Sequence, residues 1–212
     1  MAQRAMTAAE RVSEATEALR EEKFAARRIE LAEAALETLG ELGFARTSLR
    51  EIAQNSAFTH GVFHYYFTDK LDLICCCVRH YKAQCVTRYD EVTAAAKTRD
   101  ELMEGFLGKL AATLREDASM HRLWYDLRAQ ALFEPAFRAD IVEIDRNLEA
   151  MIWRIASRFA GLGGRKPAIS PAALYALFDG LFQGALLKHF SNDADAIPDL
   201  LAEVRRLLPM IC

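Results

Sequence analysis

Apolar residues in this chain recur every three or four positions and nowhere keep a period of two. Ile29, Ala32, Leu36 and Leu39 set the pattern, forming one stripe of a helix expected from about Lys23 to Leu42. β-branched residues never alternate with polar ones over a strand's length, and 212 residues contain only five prolines. An all-α fold follows. The length allows one or two domains with a substantial core. With 52% apolar and 27% charged residues, the composition is that of a globular chain rather than a disordered one.

Helix ends are marked by residue type. Gly43 stops the first helix and Phe44 folds back onto it. Ser48 and Glu51 form a capping box that opens a short second helix. Thr59 is the next N-cap, and Thr68 or Asp69 opens a fourth helix. Leu71, Ile74, Val78, Tyr81, Cys85 and Val92 keep helical spacing with no breaker until about Thr98. A single helix of ~25 residues, on the order of 40 Å long, is therefore expected there. Further helices are expected at 100–116, 119–133, 135–160, 171–190 and 197–208, with Pro209 ending the last. Residues 1–22, with three Arg and five Glu, read as an arm outside the core.

No apolar stretch is long enough to span a bilayer and no signal-peptide core opens the chain, so a cytoplasmic protein is expected. Cys75, Cys76 and Cys77 are adjacent on a helix and poorly placed to bridge one another. They read as small core residues, with a redox or metal sensor as the alternative; no zinc-finger spacing is present, so neither metal nor cofactor is expected. Net charge is −3, but Phe44–Lys82 has five bases (Arg46, Arg50, Lys70, Arg79, Lys82) against three acids, a local +2. A small basic module on an acidic body suits local rather than indiscriminate DNA binding.

The stretch SLREIAQNSAFTHGVFHYYF, residues 48–67, reads as two short capped helices with Ile52, Ala53, Phe58, Phe63 and Phe67 inward, a helix-turn-helix. With its flanks it resembles the DNA-binding module of the tetracycline-repressor (TetR) family. The elements are Gly43-Phe44, Thr47-Ser48, Ile52-Ala53, Gly61, Phe63, Tyr66-Phe67, and Lys70 with Leu73, together about a quarter of the chain. Ala57 stands where the family usually has a turn glycine, a place where positive φ would penalise alanine. Thr59 replaces a commoner serine and His64 a frequent tyrosine.

The resemblance implies a helix-turn-helix domain at 23–70 and an effector-binding and dimerisation domain at 71–212. It implies that Thr59, His60, Gly61, Val62 and His64 face base edges of a double-stranded operator, and that Arg50 reaches a phosphate or a guanine. Ser48 and Tyr65 or Tyr66 would donate to phosphates, and Lys70 with the N-terminus of its helix would hold another. Packing in the core is the other reading of the two tyrosines.

In the second half, Phe106, Leu110, Met120, Trp124, Met151, Phe178 and Phe182 either line an apolar effector pocket or form plain core. His121, Tyr125, Arg128, Gln130 and Gln183 are the polar groups able to orient a ligand. Gly180 and Gly184, beside Leu187, sit in the helix at 171–190. The resemblance implies that this helix and the last one, through Leu201, Val204 and Leu208, pair two subunits into a homodimer. Close packing within one chain is the alternative use of the glycines. No phosphate loop, nucleophile elbow or H-E-x-x-H motif is present, which argues against an enzyme. The expected protein is a ligand-responsive regulator, most simply a repressor, released from DNA by a small apolar or aromatic effector and with no membrane partner.

Overall fold

The computed structural model describes residues 8–212, with side chains from Glu14 onward. Residues 1–7 of the expected arm lie outside the described range. The chain forms ten α-helices within that range: α1 (Ala8–Arg46), α2 (Leu49–Gln54), α3 (His60–Tyr66), α4 (Lys70–Cys85), α5 (Asp90–Ala95), α6 (Arg99–Glu116), α7 (Ala118–Gln130), α8 (Arg138–Leu162), α9 (Pro171–Phe190) and α10 (Ala196–Ile211). A short 3₁₀ turn, Pro135–Phe137, precedes α8. No strand occurs among the described residues.

The first helix is longer than its apolar stripe predicts, because it runs without a break from Ala8 through the arm. Residues 14–26 are exposed there, so the core does not dictate their conformation. The buried stripe is Leu31, Ala32, Ala35 and Leu39, whereas Ile29 is exposed. Gly43 adopts φ 75°, ψ 175°, bending the chain at the predicted stop. A Cβ at that glycine would also lie 3.2 Å from Asp126 Oδ2, so both backbone and space call for glycine. Phe44 turns inward onto Phe137, with ring centroids 5.3 Å apart.

Ser48 caps α2 through both arms of the capping box, as its sequence predicts. Thr59 occupies the N-cap position of α3 without a side-chain hydrogen bond. Ala57 has no positive φ, so the missing turn glycine strains nothing. Ile52 and Phe63 are fully buried and Phe67 is 1% exposed, fixing α2 and α3 on α1. Arg28 locks the module from below. It donates to Tyr66 O (2.7 Å), pairs with Asp72, and stacks over the Phe67 ring (4.4 Å). Burial would raise the Asp72 carboxyl, but the hydrogen bonds from Arg28 and Thr68 outweigh it and hold the acid below its ordinary range.

The expected 25-residue helix is two helices. Helix α4 ends at Cys85, residues 86–89 turn, and α5 follows. Arg154 from α8 donates to Val86 O at 2.6 Å, and Thr87 Oγ1 donates to Gln84 O at 3.2 Å. These side chains satisfy the carbonyls that a continuing helix would have used, and the turn drives Tyr89 into the core. Sequence periodicity cannot register a partner 68 residues away. The helix expected to reach 133 ends at Gln130, leaving Leu132 and Phe133 exposed. Pro209 does not end α10 but sits inside it. No helix of the described residues is long and apolar enough to cross a membrane.

Candidate functional site

Two places merit attention, and a single helix joins them. The first is the outer face of α3. Thr59, His60, Gly61, His64 and Tyr65 are exposed, Tyr65 by 73%, while Val62 and Tyr66 are half-buried. Tyr66 packs 4.8 Å from Phe24, which favours the core reading for it over a phosphate contact. His60 and His64, one turn apart, bring their Nε2 atoms to 3.1 Å, so one ring donates and the other accepts. Ser48 and Arg50 are exposed at the start of α2.

Lys70 differs from expectation. Its Nζ donates to Phe44 O at 2.8 Å and lies 4.2 Å over the Phe44 ring, tying α4 to the end of α1. The N-terminus of α4 is not open either: Asp69 accepts from Asp72 N (2.9 Å), and Asp72 accepts from Thr68 N (3.1 Å). Carboxylates already occupy the ground a phosphate would take. Two of the five bases counted locally also point elsewhere. Arg79 lies 3.6 Å from Asp140, and Lys82 is 2% exposed.

The second place is a cavity of about 80 Å³ among α4, α6, α7, α8, α9 and α10. Phe106, Leu110, Trp124, Met151, Phe178 and Phe182 wall it, joined by Tyr89, Leu148, Ile152, Leu200 and Val204. His121 and Tyr125 line it too. Four expected residues do not. Met120 lies against Gly40 of α1, and Gln183 is exposed. Arg128 pairs with Asp145 (3.2 Å) and Asp179 behind the wall. Gln130 is also absent from the lining.

The cavity holds a group that periodicity alone conceals. Lys82 follows Val78 and Tyr81 on the buried stripe of α4, and its ammonium lies 4.9 Å from the Trp124 ring centroid. Its hydrogen-bond partner is His121 Nδ1, at 3.4 Å. No carboxylate of the described residues pairs with it, since Asp117 holds Arg88 while Asp145 and Asp179 hold Arg128. Burial pulls Lys82 down to about 8, and burial followed by the Lys82 charge holds His121 well below its usual range. His121 is therefore neutral, with Nδ1 accepting and the proton on Nε2. That Nε2 has no partner.

Helix α7 joins the two places. His121, Trp124 and Tyr125 face the cavity. From its other side Arg122 donates to Gly40 O (2.6 Å), and Asp126 accepts from Phe44 N (2.8 Å). Phe44 in turn holds Lys70. Helix α4 provides a second link, with Lys70 at its start and Lys82 in its last turn.

On α9, Gly180 and Gly184 are exposed, and a Cβ on either would meet nothing within 4 Å. Packing within the chain therefore does not explain them. They floor a groove with Leu181, Lys188, Asp199 and Glu203, next to Leu187, which is 71% exposed. Leu201 is half-buried. Val204 and Leu208, expected at a subunit interface, are each 1% exposed and belong to this chain's own core.

The cysteines are all free. Burial pushes Cys75 up to about 12, with Asp140 adding to it, and burial raises Cys76 and Cys77 as well. Thiols held protonated are poor nucleophiles, which weighs against the redox alternative. No cluster of three or more His, Cys, Asp or Glu able to hold a metal occurs among the described residues.

Residues 31–74 match the family described as bacterial regulatory proteins, tetR family. The chain is 27% identical over 169 residues to the HTH-type transcriptional regulator BetI of Burkholderia thailandensis, covering 76% of this chain and 82% of that protein. Among solved structures, a TetR transcription regulator from Haloarcula marismortui superposes with TM-score 0.71 at 16% identity, covering 88% of this chain and 98% of the other. The regulator FadR of Bacillus subtilis, in complex with stearoyl-CoA, superposes with TM-score 0.68 at 19% identity, covering 84% and 95%. At these identities the likeness is one of fold.

Proposed function

We propose that the chain is a member of the tetR family of bacterial regulatory proteins, a repressor that binds a palindromic operator as a dimer and lets go when a small molecule enters the cavity. The observation that carries this reading is the outer face of α3. A helix of seven residues is too short to persist alone, yet this one is fixed by a fully buried Phe63 while its other side stays exposed. Thr59, His60, Gly61 and His64 meet base edges, Val62 flanks them, and Tyr65, Ser48 and Arg50 reach the backbone phosphates or, for Arg50, a guanine. Lys70 acts by bracing the module.

One such helix spans too few bases for selectivity, and two on a symmetric dimer read half-sites about 34–36 Å apart. The glycine-floored groove of α9 supports that pairing. Ligand entry moves α7 and the end of α4, and both press on the α1 bend that carries Phe44. A coupling of a few kcal/mol suffices, since ~1.4 kcal/mol is tenfold in affinity. By reciprocity, operator DNA weakens ligand binding by the same factor.

The test is fluorescence anisotropy with duplex DNA from upstream of the protein's own gene. His60→Ala shifts base preference at one position by about 1–3 kcal/mol, and Arg50→Ala lowers affinity and flattens the salt dependence by roughly one unit if it meets a phosphate. Unchanged binding by both variants removes α3 and its neighbour from the DNA interface.

A further inference from the structure

Lys82 is nearly inaccessible, has no carboxylate partner among the described residues, and lies at one end of a cavity whose other walls are largely hydrocarbon. Beside it, His121 presents an unpartnered Nε2–H, for the ammonium fixes Nδ1 as the acceptor. Both groups are donors, and both lack an acceptor carrying negative charge. The remaining charges of the wall are satisfied: Arg88 by Asp117 and Thr113, Asp179 by Arg128 and Tyr125. Lys82 is thus the charge of the wall with no ion-pair partner in contact, while Arg128 serves both Asp145 and Asp179, whose charges reach Lys82 only from further off. A buried cation without a counter-ion is costly, and an incoming anion that supplies the acceptor removes that cost.

We propose that the cavity's ligand is a small monocarboxylate with a short apolar body, its carboxylate received by Lys82 Nζ and its hydrocarbon lying toward Phe106, Met151 and Phe178. The volume of about 80 Å³ limits the body, as a cavity that takes benzene is roughly 150 Å³. The assignment rests on the reading of the cavity as the effector site, and it replaces the apolar or aromatic effector expected from the sequence with an acid.

Acetate and propionate, each paired with its neutral amide, are the probes, with full-length protein in calorimetric titration and thermal melting. The acids bind tighter than the amides by roughly ten- to a hundredfold, the worth of a charge-assisted hydrogen bond. Lys82→Met, checked by its own melting curve, loses that preference, and Lys82→Arg, which keeps the charge, retains part of it. Equal binding of acid and amide overturns the proposal, as does an acid preference that survives Lys82→Met, or millimolar acids that leave the wild type unbound. The operator assay separates this from the regulatory reading. Release of DNA by uncharged apolar compounds alone rejects the acid and keeps the effector site. Acid binding that leaves DNA affinity unchanged keeps the acid and rejects the effector role.

Discussion

Lys82→Met raises the stability of the ligand-free chain near neutral pH by on the order of 3 kcal/mol. An ordinary lysine holds its proton to 10.5, and in this fold Lys82 holds it only to about 8. The unfolded chain therefore binds that proton more tightly, and the fold is penalised. The penalty is whole below pH 8, shrinks as the pH climbs, and is gone above about 10.4. The groups around the ammonium are His121, Arg88, Asp145, Asp179 and Cys85. The two aspartates and Cys85 lift the value, and burial outweighs them. Methionine fills a similar volume without the charge, as in other replacements of buried ions by apolar residues. In urea unfolding the gap between variant and wild type should be widest at pH 7 and closed by about pH 10.5. Working with the difference cancels the buried tyrosines, which titrate identically in both proteins. A gap that does not change with pH means that packing, not the lysine charge, separates them.

Gly184→Leu converts the protein to a monomer that is at least as stable in its own fold and binds operator on the order of 10²–10⁴-fold more weakly. The first half follows from the surroundings of the glycine. An added Cβ meets nothing within 4 Å, and leaving glycine inside a helix gains about 1 kcal/mol of propensity. The second half follows from geometry, because a leucine on the groove floor holds a partner helix away and leaves each recognition helix to bind alone. Light scattering and anisotropy on one preparation check both. A Gly184→Leu protein that remains dimeric places the subunit contact elsewhere, and a wild type that is monomeric at micromolar concentration rejects the pairing.

Much of the DNA-binding half was legible because its signals are local. Ser48 with Glu51 encodes a cap, Gly43 a bend, and Phe63 with Phe67 the inner side of a helix, each within a few residues of its effect. Most apolar wall residues of the cavity could be listed from helical spacing, though spacing could not say which are core and which are lining. Failures came where a distant residue decides. The break after Cys85 depends on Arg154, and the commitment of Lys70 depends on Phe44, 26 residues earlier. Val204 and Leu208 form a stripe that looks the same whether it meets another subunit or its own chain. Lys82 was counted with the bases of the DNA-binding module because lysine is usually exposed. Its position in line with Val78, Tyr81 and Cys85 was the available signal.

Helix α7 divides its labour by angle. Residues 121, 124 and 125 look into the cavity, and residues 122 and 126 hold the bend of α1. With 100° between neighbours, the two sets stand on separate sides of one rod. On the proposed reading of the cavity as the effector site, drift in the sequence can therefore change what is detected without changing how loudly it is answered, or the reverse. A lineage that meets a new compound then needs to alter only the inward side.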